Sequence, residues 1–352
     1  MTDTPLVSIL TPVYNTVAYL AECIEGVRAQ TYRNFEYVIV DNCSTDGSLE
    51  VAEQYAAKDP RIRVVRNSEF LEQLANLNAA LGYASPAAKY VKYALSDDVL
   101  FPDCVAKLVE VAELEPAAGL VGAYYFFGEH LGGAGVPRHL QRIDGRYACR
   151  LMLVDRKYMV GSPTSVLYRA DVLRARRPCF TPGSLHADTE LAYEIMLQHD
   201  LGFAHQVLSF IRTDNVSISS SVKDFRPNLL DRLIVTERYA DKALKAEEAT
   251  RVRDAVRQEY FRYLAGQLLG RRPRRFWEYH RAGLASVGLT PRVRDLLPGV
   301  LRELARLALD PLSTVQRVVL ALRPHSAAEA ESDRLPTLRP APHETARPPL
   351  RD

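Results

Sequence analysis

Two adjacent carboxylates, Asp97 and Asp98, follow the apolar residues Tyr90, Val91, Tyr93, Ala94 and Leu95, with only Ser96 between. Such a run suits a buried strand, Ser96-Asp97-Asp98 ends it, and Pro102 suits the first turn of a following helix. Carboxylates at the carboxyl end of a strand can hold a divalent cation. Mg²⁺ or Mn²⁺ is hard, prefers oxygen, and takes one or two protein carboxylates together with substrate phosphates. The same pair also reads as a turn whose side chains cap the next helix. What the rest of the chain brings to this point decides between the two.

The elements that must position this pair are legible as a repeat. Apolar runs at residues 6–10, 35–40, 62–65 and 90–95 read as strands, and apolar residues at helical spacing follow each of the first three, as in Tyr19, Leu20, Cys23, Ile24 and Val27. Strand and helix in alternation imply right-handed crossovers and a mainly parallel sheet, an α/β fold. Ligands of open α/β sheets bind at the carboxyl ends of strands, where three polar stretches fall here: Thr11, Pro12, Val13, Tyr14 and Asn15; Asp41; and Ser96, Asp97 and Asp98. Neither GxGxxG nor GxxxxGK[ST] follows a strand, which removes the dinucleotide and P-loop readings.

Three blocks in order, VSILTPVYN, QTYRNFEYVIVDNCSTDGS and YVKYALSDDVLFPD, resemble the family 2 glycosyltransferases, inverting nucleotide-sugar enzymes of the A-type fold. The resemblance covers about the first 105 residues closely and extends weakly to about residue 220. It implies a Rossmann-like nucleotide-diphospho-sugar transferase domain over residues 1–225, with a nucleotide-sugar half at 1–105 and an acceptor half at 106–225. By this resemblance Thr11, Pro12, Val13, Tyr14, Asn15 and Asp41 surround the nucleoside of a UDP- or dTDP-sugar. A carboxylate there can accept the N3–H that uracil and thymine have and cytosine lacks. Asp41 as a plain turn cap is the alternative. The helix LANLNAALGYAS places Asn76 and Asn78 below the donor, with Glu72 where many members have Gly. The resemblance further implies that Ser96 and Asp97 lie near the ribose or metal and that Asp98, expected to face solvent and phosphate, binds Mg²⁺ or Mn²⁺. The first carboxylate of the family's usual triplet is replaced by Leu95-Ser96.

In the second half, residues 119–127 read as a strand and 131–136 as a mobile loop, and by the resemblance 161–168 is similar to the loop and strand bordering the family's acceptor cleft. The resemblance makes Asp188, at the mouth of a helix carried by Leu191, Ile195 and Met196, the general base, with His186 and Glu190 as runners-up. As an N-cap alone, Asp188 would need no catalytic role. Arg212 matches a late arginine suited to the diphosphate, and a salt bridge competes for it; Asp214 stands where a histidine is often found. The acceptor expected is a glycan, lipid-linked or other hydroxyl, in surface polysaccharide or glycoconjugate synthesis.

Residues 226–324 read as a helical extension and 325–352 as a disordered tail rich in Pro and Ala. The 352-residue chain carries +2 overall, yet residues 251–352 hold 19 Arg, no Lys and 11 acidic residues. That asymmetry, with Arg302, Arg306, Arg317 and Arg323 beside leucine-rich faces, suits an anionic membrane surface or a protein partner; no motif points to nucleic acid. Five cysteines without CxxC spacing, no signal peptide and no apolar span point to a cytoplasmic protein, peripheral to a membrane at most. Two other functions compete. One is a non-catalytic nucleotide- or glycan-binding protein of the same fold; the other is a nucleotidyltransferase, disfavoured because the first strand lacks a Gly-rich basic loop.

Overall fold

The computed structural model describes residues 4–182, 187–213, 223–268 and 272–290, with scattered positions between 296 and 309. Strand β1 (Val7–Val13) leads to helix α1 (Val17–Arg28), β2 (Phe35–Asp41) to α2 (Ser48–Ala56), and β3 (Ile62–Arg66) to α3 (Gln73–Gly82). Strand β4 (Tyr90–Tyr93) follows, then the two-residue β5 (Val99–Leu100) and α4 (Cys104–Leu114). The second half contributes β6 (Ala118–Phe127), β7 (His130–Gly132), β8 (Arg142–Ile143), α5 (Gly145–Val154), β9 (Val166–Arg169), α6 (Ala170–Arg174), α7 (Ala187–Met196) and β10 (Asp200–Ile211).

These strands form one sheet in the order β3-β2-β1-β4-β9-β6-β10-β5, with β7 beside β6 and β8 beside β10. The first four are parallel, as are β6 and β10, so the mainly parallel sheet expected from the strand–helix repeat is present. Strand β9 runs antiparallel between β4 and β6. It comes from a segment preceded by a 3₁₀ turn at Pro163–Ser165 instead of a crossover helix, which frees it from the parallel rule.

The core lies on both faces of this sheet because the strands alternate. In β1, β2 and β4, Leu10, Val38, Val40, Val91 and Tyr93 join one apolar cluster with Leu77 of α3 and Leu191 and Ile195 of α7. Val7, Ile9, Tyr37, Ile39 and Tyr90 join the other with α1 and α4. A period of two along each strand delivers this division. Helix α1 meets its face through Leu20, Cys23, Ile24 and Val27, all buried, at the 3.6-residue spacing of an amphipathic helix. Burial of side chains of this size contributes about 1.5–3 kcal/mol each.

Three boundaries differ from the sequence reading. Strand β1 runs through Thr11, Pro12 and Val13 to pair Val13 with Asp41, because parallel bonding to β2 continues past Pro12. Residues 131–136 are not simply a loop: His130–Gly132 pairs antiparallel with Tyr125, Phe126 and Phe127. The chain packs as two compact units, Met1–Val216 with Val235–Ala255, and Ser217–Ile234 with Val256–Asp352, so part of the helical extension belongs to the first.

That part is the end of α8 (Pro227–Ala243) and the start of α9 (Ala246–Leu268). In the first unit, Tyr239 stacks on Tyr193 at 5.1 Å. Within the second unit, Tyr260 of α9 and His280 of α10 (Arg274–Ala285) share a buried 2.7 Å hydrogen bond among aromatic rings. Among the described residues no helix is long and apolar enough to cross a membrane. The last part of the expected helical extension, from about residue 291 to 324, and the tail lie largely or wholly outside the described residues, as do Arg306, Arg317 and Arg323.

Candidate active site

The acidic pair sits between the end of β4 and β5, which pairs with β10. Strand β5 pairs antiparallel with β10, Val99 against Phe210 and Leu100 against Ser209, which brings Arg212 alongside Asp98. Asp98 accepts from the Arg212 backbone N–H at 3.0 Å and from the Thr164 hydroxyl at 2.5 Å. It is only 3% exposed, against the expectation that it faces solvent, because the turn at Pro163–Ser165 closes over it. Burial, then the charge of Asp97, push its carboxyl up to about 7. Asp97 is partly accessible, and its carbonyl accepts from Arg212 Nε at 3.0 Å. Ser96 is buried beside it.

Beneath this pair lies Lys92, fully buried on β4, whose ammonium donates to the carbonyls of Tyr93 and Thr164. Burial pushes it down to about 8. Lys92 thus holds the same turn whose hydroxyl holds Asp98. Neither Lys92 nor Thr164 stands among the expected site residues; a lysine inside an otherwise apolar strand is the signal for the first, and Thr164 lies in the loop expected at the acceptor cleft, with nothing to show that its hydroxyl meets Asp98.

Asp97 and Asp98 are hard oxygen donors that fit Mg²⁺ or Mn²⁺. Two adjacent carboxylates, one of them raised by burial and by the other, are a like-charge pair that a divalent cation would relieve. Among the described residues no three His, Cys, Asp or Glu side chains gather as a cluster, so such a cation would need substrate oxygens beside one or two carboxylates.

The two loops expected at the nucleoside are tied to each other. Asn15 (φ 50°) and Cys43 (φ 62°) both adopt left-handed backbone, which costs a non-glycine residue on the order of 1 kcal/mol or more. Asn15 Oδ1 accepts from Thr45 N–H at 2.8 Å, and Asn15 N–H donates to Ser44 Oγ at 3.1 Å, so the loops hold each other in that shape. Tyr14 packs on Phe70 at 4.8 Å. Thr11 is buried and donates to the Ala94 carbonyl at 2.7 Å; with Val13, also buried, it serves the sheet behind the loop, while Pro12 is half-buried. Asp41 is 1% exposed, accepts from Ser44 N–H at 3.2 and 3.3 Å, and lies 3.8 Å from Arg66 Nε. It closes its own turn.

Asn76 and Asn78 hold walls. Asn67 bridges Asn42 and Asn76 at 2.9 and 3.0 Å, pinning the segment before α3. Asn78 donates to the carbonyls of Leu74 and Phe180 and accepts from the N–H groups of Cys179 and Phe180, all at 2.8–3.0 Å. Both amide hydrogens and two lone pairs are engaged, so its side chain fixes the segment leading to α7.

Asp188 lies in the first turn of α7, and its charge, after burial, raises the hydroxyl of Tyr125. The Tyr125 ring is seated against Gly132 and Gly161: a Cβ on either would lie 2.2 or 2.4 Å from it. Gly161 is three residues from Thr164, the donor to Asp98, so the Asp188 side and the Asp98 side share one wall. Glu190 is buried and ion-paired with Arg238; His186 lies outside the described residues. The cavity of about 390 Å³ lined by Lys89, Glu113, Arg169 and Arg174 is at the opposite, amino end of β4.

A sheet of this order with paired carboxylates after its fourth strand defines an A-type nucleotide-sugar transferase fold. Residues 8–177 match the model of the family described as glycosyl transferase family 2. Over 126 residues it is 33% identical to glycosyltransferase GlyG of Streptococcus pneumoniae serotype 4, an alignment covering 35% of this chain and 40% of GlyG. The chain spans 13–44% of the curated relatives it matches first. Among solved structures, S. aureus TarS 1-349 in complex with UDP is similar with a TM-score of 0.53 at 18% identity, covering 72% of this chain and 71% of that one. Mannosyltransferase PcManGT from Pyrobaculum calidifontis, in complex with GDP-Man and Mn²⁺, gives 0.51 at 17% identity, covering 90% and 84%. At such identities the likeness concerns the fold.

Proposed function

We propose that this glycosyltransferase is metal-dependent and inverting, and moves a sugar from a UDP- or dTDP-sugar to a hydroxyl acceptor, a glycan or lipid-linked saccharide. The observation that carries the reading is the convergence on one sheet edge of Asp97, Asp98 and Arg212, with the Asp188–Tyr125 wall joined to them through the 161–164 turn. The mammoth task in such a transfer is electrostatic: a diphosphate leaves with growing negative charge while a poor nucleophile loses its proton. Mg²⁺ or Mn²⁺ held by Asp98, with Asp97 beside it, supplies charge neutralisation on the diphosphate when bound. Arg212 presents a planar guanidinium to the same oxygens.

Asp188 takes the acceptor proton. At the amino end of α7 the helix dipole favours its ionised form, ready to accept. Asp41 reads the base through lone pairs left over from its turn, since a carboxylate has about four acceptor sites. A cytoplasmic location fits nucleotide-sugar supply, and the arginine-rich C-terminal part provides a contact for an anionic membrane surface or a protein.

Incubation with a panel of UDP-, dTDP- and GDP-sugars, with Mn²⁺ or with a chelator, tests this by release of nucleoside diphosphate. Turnover of a uridine or thymidine donor that stops with chelator is expected. Preference for a GDP-sugar, or release indifferent to metal, would overturn the corresponding part; donor binding without any turnover would favour the non-catalytic alternative.

A further inference from the structure

Arg212 is fixed at several points, and one of them differs from the rest. Its backbone N–H ends on Asp98, its Nε on the Asp97 carbonyl at 3.0 Å, and its guanidinium lies over the rings of Tyr19 at 4.8 Å and Phe210 at 5.7 Å. Those contacts are to backbone, to a buried carboxyl and to flanking rings, and they set where the guanidinium stands. The remaining contact, Nη2 to Glu22 Oε2 at 2.6 Å, reaches across from α1 to a side chain that is 61% exposed. Glu22 thus brings a carboxylate to a guanidinium whose Nε already rests on the Asp97 backbone carbonyl.

We propose that Glu22 is a positioning residue that acts as the resting counter-ion of Arg212, and that a nucleoside diphosphate binds by taking the guanidinium from it. This rests on the reading above that Arg212 faces the diphosphate. The exchange is inexpensive in this direction. An exposed ion pair on a long side chain is worth little, whereas a diphosphate offers several charged oxygens to a fork whose position the other contacts already hold. Glu22 therefore sets how tightly phosphates bind and leaves recognition of the nucleoside untouched. It also neutralises Arg212 while the site is empty, which discourages capture of unrelated anions.

Calorimetry on the full chain with UDP and with uridine, each in the presence of Mn²⁺, tests this on wild type, Glu22→Gln, Arg212→Gln and the double variant. Glu22→Gln is expected to bind UDP about two- to fivefold more tightly, the scale of one exposed ion pair, with uridine unchanged. In the Arg212→Gln background the Glu22 substitution should have no effect. Unchanged or weaker UDP binding by Glu22→Gln, or a gain that persists without Arg212, overturns the counter-ion role. UDP affinity of Arg212→Gln equal to wild type would instead overturn the placement of Arg212 at the diphosphate. Thermal melts of all four proteins identify any variant whose binding change reflects misfolding.

Discussion

Removing the Asp98 carboxylate strands two donors, because the Thr164 hydroxyl and the Arg212 amide both end on it in a buried position. Asp98→Ala is therefore expected to lose metal-dependent UDP affinity and also about 1–3 kcal/mol of stability, the penalty for leaving a buried donor unpaired. Asp98→Asn keeps an acceptor for those donors and should lose the metal dependence with a smaller drop in melting temperature. Calorimetry with UDP and Mn²⁺ beside thermal melts checks both; metal-dependent affinity surviving in Asp98→Asn would remove Asp98 from the cation site. The identity of the acidic pair was legible because strand, polar break and helix follow one another between Tyr90 and Cys104. Its environment was not: Thr164 reaches Asp98 across 66 positions, and no local pattern announces a hydroxyl arriving from so far away.

Elements whose signal is a repeat were readable, and elements defined by a distant partner were not. Strands β1 to β4 and the helices between them follow from periods of 2 and 3.6, since each buries one face locally. The short β5, β7 and β8 consist of two or three residues each and exist only through pairing with β10 or β6. In the helical unit the same rule makes His280 a buried residue: α10 alone does not reveal that Tyr260 of α9 will meet its ring. Burial, and more weakly the charge of Arg272, push His280 down to about 4 from 6.5, against a raising contact with the Phe225 backbone. Between those values the unfolded chain binds a proton that the folded one refuses, so stability is fully present above about 6.5 and falls as pH drops toward about 4. Urea unfolding across that window should show a smaller loss in His280→Asn than in wild type. An identical pH slope in the two proteins would contradict a neutral buried His280.

At the scale of the molecule, the residues proposed to bind the donor lie on or just after β1, β2, β4 and β10, whereas Asp188 comes from α7, held in the first unit by the Glu190–Arg238 ion pair and the Tyr193–Tyr239 stack. The fold class could be read from alternation alone, but the return of Val235–Ala255 to the first unit could not, because a helix that packs on a domain and one that leaves it carry the same amphipathic pattern. The account's central claim is that these two sides form one transfer site with Asp188 as its base. Asp188→Asn tests it most directly, since asparagine caps a helix about as well but cannot take a proton. With the donor found by the nucleotide-sugar panel and its acceptor, the variant should bind donor like wild type while transfer falls by about 10²–10⁴-fold. Transfer close to wild type, at unchanged donor affinity, would contradict the claim and return Asp188 to a purely capping role.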